Sequence, residues 1–278
     1  MQKSQGRLKT ALRLNDHVLW FVHGLEEWNL IYKGASLMTD RRIRRMAAKW
    51  DEAARKNVLY YIASSAWKSE EEFINSGQYD ANKILTGLPP FNSTSDSVLE
   101  IGCGIGRLLR AMNDRFATLC GVDISAEMIR CGREWLRYYP KVKLVQTISN
   151  DLRMFKDNQF DLVFSYITFQ HIPSRKLVTN YIAEARRVLK PGGYFRFQAL
   201  RTRSPIDLLK NRVRIFLNSS KDCFVGYSWR IVTLEKTVRA CEFKEVDTQT
   251  QLECSSEAPY GIGQPESHIW CTARKPPY

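Results

Sequence analysis

Histidine is scarce in this sequence and paired cysteines are missing. The four histidines (His17, His23, His171, His268) are scattered over 278 residues and show no zinc-ligand spacing. The seven cysteines are an odd number with no CxxC pair, which excludes a disulfide framework and points to a reducing compartment. Carboxylates do not cluster with histidine, so no metal is expected. No apolar run approaches the ~18–20 residues of a membrane span. The apolar stretch at Val18–Val22 is short and soon meets Glu26 and Glu27, so no signal peptide is expected. A cytoplasmic location is expected, with the inner face of a membrane as a peripheral site.

Acidic residues are outnumbered, 29 against 42 Lys and Arg, for a net charge of +13. With 44% hydrophobic and 12% aromatic residues the composition is globular, which excludes disorder and collagen-like repeats. At this length one large domain, or a domain with a cap, buries a full core. Residues 1–56 hold 12 basic and 6 acidic residues, and residues 201–221 hold 6 basic and 1 acidic, so two segments carry most of the excess. Such patches attract phosphorylated small molecules, nucleic acid or an anionic membrane surface. No added RNA-binding module is visible, which makes nucleic acid the weaker of these partners.

Residues 1–38 read as a basic arm and an amphipathic segment, and 39–96 as helices and a linker. Thr39 and Asp40 are N-cap candidates, followed by Ile43, Met46, Trp50, Ala53, Asn57 and Tyr61 on one helical face. Ser69 with Glu72 forms a capping box opening a second short helix, interrupted at Gly77. After the linker at 86–97, short apolar strands at 98–101, 118–122, 142–145, 160–164 and 194–199 alternate with helical stretches at 106–114, 126–138 and 174–189. The last stretch stops at Leu189-Lys190-Pro191-Gly192-Gly193. This alternation predicts a doubly wound, largely parallel α/β sheet over 97–278. A basic insertion at 201–227 interrupts the series, which closes with a helix near 231–241 and strands near 244–250 and 268–273. A helix followed by two adjacent strands predicts a last strand inserted antiparallel.

Val98–Ile101 runs into Gly102-Cys103-Gly104-Ile105-Gly106-Arg107. Such a turn lets a ligand touch the main chain, and the following helix N-terminus favours negative charge. Asp123 ends the next strand, where a carboxylate can accept both ribose hydroxyls of a nucleoside. The pattern fits an adenosine-containing cofactor. A nicotinamide dinucleotide and S-adenosylmethionine compete. The dinucleotide fingerprint wants a third glycine where Arg107 stands, and Glu100 sits poorly beside a pyrophosphate. A carboxylate there instead favours a sulfonium and an amino group.

LEIGCGIGR, GVDIS, the Asn150-Asp151-Leu152 turn, FDLVFSYITFQHI and LKPGG, in order over residues 97–200, resemble class I S-adenosylmethionine-dependent methyltransferases of the small-molecule type. The resemblance implies a Rossmann-like sheet of seven strands with an N-terminal helical lid, and S-adenosylmethionine as cofactor. It implies Gly102, Gly104 and Gly106, with neighbours Glu100, Cys103 and Arg107, at the methionine part. Asp123 would hold the ribose, and Ile124 and Met128 would lie against adenine, with Asp151 and Leu152 at its edge. Ser165 and Tyr166 would face the methionine end. The run from Trp50 to Tyr61 resembles a lid helix, a pattern a core-facing stripe also explains.

A hydroxyl acceptor needs a base. His171, on the loop that in this fold opens beside the sulfonium, suits that task with an ordinary pKa of ~6.5. A helix-capping or loop-holding role is the alternative. Gln170 is expected to orient cofactor or substrate. Residues 165–168 lack the Asn/Asp-Pro-Pro-Tyr/Phe sequence of enzymes that methylate DNA amines or glutamine, and no cysteine nucleophile stands there. A small-molecule acceptor follows, oxygen its expected target, with an RNA or protein methyltransferase or a non-catalytic binding subunit as rivals. Tyr61, Arg201 and Arg203 are expected at the acceptor, the arginines clamping a phosphate or carboxylate. Trp20, Phe21, Trp28 and the basic arm could instead lie on an anionic membrane.

Overall fold

The structure, a computed structural model, describes residues 41–59, 69–218, 226–250 and 267–278. The chain divides into two compact units, Met1–Arg42 and Ile43–Tyr278. The arm, the Thr39 and Asp40 caps, Trp20, Phe21, Trp28 and Tyr61 lie outside the described residues.

Seven strands form one sheet: β1 (Ser97–Ile101), β2 (Thr118–Asp123), β3 (Val142–Gln146), β4 (Phe160–Ser165), β5 (Leu189–Leu200), β6 (Lys244–Gln249) and β7 (His268–Arg274). Their order is β3-β2-β1-β4-β5-β7-β6. Pairing is parallel from β3 to β5, and β7 runs antiparallel to both β5 and β6. The expected antiparallel insertion is therefore observed.

Alternation along the strands divides the core between two faces. Leu99, Val163 and Phe197 pack with helices α5 (Arg175–Val188) and α7 (Ile231–Ala240). Val98, Leu162 and Phe164 pack with α2 (Glu70–Leu85) and α3 (Arg107–Ala111), and Ile129 of α4 (Ala126–Trp135) joins that cluster. Helix α1, residues 41–59, buries Ile43, Met46, Ala53 and Ala54. Asn57, expected on that stripe, is exposed, and the face passes through Ala54 and half-buried Val58 instead.

One punctuation signal acts differently from expectation. Helix α2 opens on Ser69, whose hydroxyl accepts from Glu72 N at 3.1 Å, and runs unbroken through Gly77. A Cβ there would stand 3.0 Å from Arg107 Cγ, so the missing side chain serves helix contact. The stop at Leu189–Gly193 is observed, since α5 ends at Val188 with Leu189 as its C-cap. β5 begins at Leu189, paired with Phe160, and a register shift between Phe160 and Leu162 absorbs the glycines. Within the basic insertion Pro205–Asn218 form α6, with Ser204 Oγ accepting from Asp207 N at 3.1 Å.

Candidate active site at the carboxyl ends of β1, β2 and β4

Chain direction across the sheet reverses between β1 and β4, the place where an open α/β sheet leaves a crevice. A cleft of about 1080 Å³, including the solvent at its mouth, opens there. The glycine turn forms its floor. Gly102 N and Cys103 N both donate to the Val122 carbonyl, at 2.8 and 3.0 Å, which binds the turn to the end of β2. Gly102 has φ +79°, and a Cβ on it would stand 2.2 Å from Thr168 Cγ2, so both the backbone and the space demand glycine.

Asp123 lies at the end of β2. Its Oδ2 accepts from Gly104 N at 2.9 Å and its Oδ1 from Ser125 N at 2.8 Å. One donor on each oxygen leaves lone pairs for a ligand's hydroxyls. Burial raises its carboxyl above the ordinary value, against these two backbone hydrogen bonds. Ser125 caps α4 through Met128 N at 3.0 Å and donates to Asp51 Oδ1 at 2.6 Å, and Glu127 N donates to the same oxygen at 3.0 Å. Asp51 thus latches α1 to the helix that carries Met128.

Glu100 is 3% exposed, and its Oε2 finds no hydrogen-bond partner among the described residues. Burial pushes its carboxyl well above the usual range, opposed by the Arg107 charge. An orphaned buried carboxylate oxygen in a cleft wall fits a cationic ligand group, which would supply the missing partner. With Asp123 free to accept hydroxyls, the residues present suit a cationic nucleoside such as S-adenosylmethionine.

Arg107 lines the cleft but sends its guanidinium elsewhere. Nη1 donates to Ser76 Oγ at 2.9 Å and Nη2 to Asp80 Oδ2 at 2.7 Å, while Tyr166 Oη donates to Asp80 Oδ1 at 3.1 Å. One carboxylate on α2 therefore joins the glycine turn to the end of β4.

The segment after β4 forms the other wall. Ile167 has φ +54°, strained for a β-branched residue, and it faces the cleft. A short 3₁₀ turn, Phe169–His171, brings His171 to the cleft, its ring meeting Trp50 edge-on at 5.3 Å. Gln170 Nε2 lies 3.3 Å from His171 Nε2. Gly226 presses on this turn, since a Cβ there would stand 1.9 Å from the Gln170 carbonyl oxygen, and Tyr227 N donates to Ile172 O at 2.8 Å. His268 at the start of β7 is lowered by burial and then by the charges of His171 and Lys83.

Of the residues expected from sequence, Glu100, Gly102, Cys103, Gly104 and Arg107 meet at this cleft, as do Asp123, Ile124, Met128, Tyr166 and His171. The others stand outside its lining. Gly106 turns toward Leu136, 2.7 Å from where its Cβ would be. Ser165 Oγ donates to Ile101 O at 2.9 Å, tying β4 to β1. Asp151 pairs with Arg153, and Leu152 is buried with its N–H on Glu184 Oε2 at 2.7 Å. Gln170 reaches the site through His171. Arg201 bridges to Trp229 and donates its N–H to Ser267 O at 2.8 Å, and Arg203 is exposed. Sequence reasoning missed Asp51 and Asp80, which carry no local motif, and Thr168, which stands inside the motif after β4 without having been singled out. It also missed Thr147 and Tyr181, two further cleft residues.

The strand order, the crevice at its reversal and the strand-end carboxylates define a Rossmann-like methyltransferase fold. Residues 99–197 match the family model described as a methyltransferase domain. It is 35% identical over 135 residues to phosphoethanolamine N-methyltransferase 2 of Caenorhabditis elegans, covering 48% of this chain and 30% of that protein. It is 32% identical over 106 residues to the ubiquinone biosynthesis O-methyltransferase of Thiobacillus denitrificans, covering 37% of this chain and 44% of that one. The chain thus spans less than half the length of these two relatives. In fold it resembles phosphoethanolamine N-methyltransferase 2 of Haemonchus contortus, solved with phosphomonomethylethanolamine and S-adenosylhomocysteine. The TM-score is 0.52 at 19% identity, covering 71% of this chain and 53% of that one.

Proposed function

We propose that this chain binds S-adenosylmethionine in the cleft and directs its methyl group to a hydroxyl oxygen of a small anionic or lipid-linked acceptor. The observation that carries this reading is the presence of His171 in the same cleft as Glu100 and Asp123. The donor supplies an electrophilic methyl on a cationic sulfonium. Glu100 balances that positive charge, and Asp123 accepts the ribose hydroxyls. Ile43, Met46 and Trp50 close an apolar wall that excludes water. Holding the reactants aligned supplies ~7–11 kcal/mol of the barrier. His171 takes the acceptor's proton, a contribution of ~10²–10⁴-fold. The names of the relatives put the methyl on nitrogen in one and oxygen in the other, and a base beside the cleft favours oxygen.

The test has two parts. S-adenosylhomocysteine at about 100-fold over its Kd adds about 2.7 kcal/mol of stability, which moves the melting midpoint by roughly 5 °C at this size. NADH and NADPH should leave it unmoved, and a response to these alone would overturn the donor assignment. Radiolabelled methyl from the donor, incubated with a cell extract, should then enter small molecules or lipids. Label confined to RNA or protein would refute the acceptor class.

A further inference from the structure

Helix α6 contributes nothing to the cleft lining, yet its surface is unusual for a helix facing water. Leu208, Asn211 and Ile215 are half-buried on one face. On the opposite face Ile206 is 65% exposed, Leu209 62%, Val213 48% and Leu217 65%. At ~100° per residue these four and exposed Phe216 fall within an arc of about 100°. The stripe from Ile206 to Leu217 is about 17 Å long. Cations follow both of its margins, Lys210 and Arg214 on one side and Arg212 on the other. The helix's one acid, Asp207, accepts from Ser204 Oγ at 2.8 Å at the N-terminal end.

We propose that α6 docks the protein on an anionic lipid surface, its apolar stripe entering the acyl boundary and its marginal cations meeting lipid phosphates. A helix with an outward apolar stripe bordered by Lys and Arg is the form interfacial helices take. Charge selects this occupant over a second copy of the chain, because a symmetric pair would bring the same cations together in molecules of net charge +13. The inner face links the surface to the site. Asn211 Nδ2 donates to Gly226 O and Ser228 N donates to Asn211 Oδ1, each at 3.1 Å. Gly226 and Tyr227 in turn hold the turn that carries His171. Docking stands apart from the catalytic proposal, and delivery of a lipid-borne acceptor to that turn rests on it.

The experiment is sedimentation of the full chain with vesicles of phosphatidylcholine, alone or mixed with phosphatidylglycerol. Partitioning should be roughly tenfold or more stronger on the mixed vesicles and should weaken with added salt. The double variant Leu209→Asp, Val213→Asp should lose roughly tenfold or more of that partitioning. Both positions are exposed, so its melting midpoint and its S-adenosylhomocysteine shift should match those of the wild type. A variant that binds vesicles as well as the wild type overturns the assignment to α6. Equal binding to neutral and anionic vesicles overturns the charge argument. A wild type that ignores vesicles overturns the proposal, and a dimer in light scattering that the variant dissociates would give the face to a second copy.

Discussion

Arg107 Nη2 stands 2.7 Å from Asp80 Oδ2, and each of the two side chains is 3% exposed. The pair fastens the start of α3, directly behind the glycine turn, to α2. Removing one partner of a buried pair leaves a charge without compensation, at a cost of about 3–5 kcal/mol. Asp80→Ala should lower the unfolding free energy by that amount in urea titrations and weaken S-adenosylhomocysteine binding. Asp80→Asn, which still offers Arg107 an acceptor, should lose less. A loss below about 1 kcal/mol would mean that the pair behaves as a surface ion pair.

Glu100 sets function against stability. Its native carboxyl is raised well above the unfolded value of ~4.3, so the folded protein binds the extra proton. The stability this contributes is present below the unfolded pKa and is lost as pH rises through the native one. Glu100→Gln removes that loss. The ligand-free variant should melt higher than the wild type at alkaline pH, with a shallower pH slope and some slope remaining from Asp123, which is raised as well. Its affinity for S-adenosylmethionine should fall roughly tenfold or more, since the cationic donor loses its counter-charge. Unchanged affinity would remove Glu100 from the donor site.

His171→Ala should retain the S-adenosylhomocysteine shift and lower turnover at least about tenfold. The pH profile of kcat gives the sharper reading, because loss of a base removes the acidic limb that a positioning residue would leave in place. Turnover equal to the wild type would retire the base assignment.

Gly226→Ala puts a methyl group against the Gln170 carbonyl, backbone that cannot swing aside. Overpacking of this kind costs about 1–3 kcal/mol. The His171 turn has to shift, so kcat should drop while cofactor affinity is largely kept. A variant that loses cofactor affinity and keeps kcat would show that the contact supports the glycine turn instead.

Much of this architecture is legible from local pattern. Apolar strands bounded by turns, the glycine sequence at 102–106 and Asp123 at the end of a strand each announce themselves within a few residues, and so does the antiparallel last strand. What escaped notice depends on residues distant in sequence. Asp51 meets Ser125 across 74 positions and Asp80 meets Arg107 across 27, and neither carboxylate sits in a motif. Gly77 looked like a helix breaker because the partner that needs its missing side chain lies on another helix. The arginines of the insertion suggest a clamp at the acceptor; in the structure the Arg201 backbone joins the strand end, and the α6 cations border an apolar stripe. Periodicity shows that a helix has two faces. It does not say which of them meets the protein.

The Asp51 latch bears on how α1 is held at the cleft. Its single carboxylate oxygen receives both Ser125 Oγ and Glu127 N, while Trp50, next to it in sequence, rests on His171. α1 therefore meets both sides of the cleft, the α4 N-terminus after β2 and the turn after β4. One carboxylate away from the glycine turn thus anchors the helix that brings Trp50 to His171.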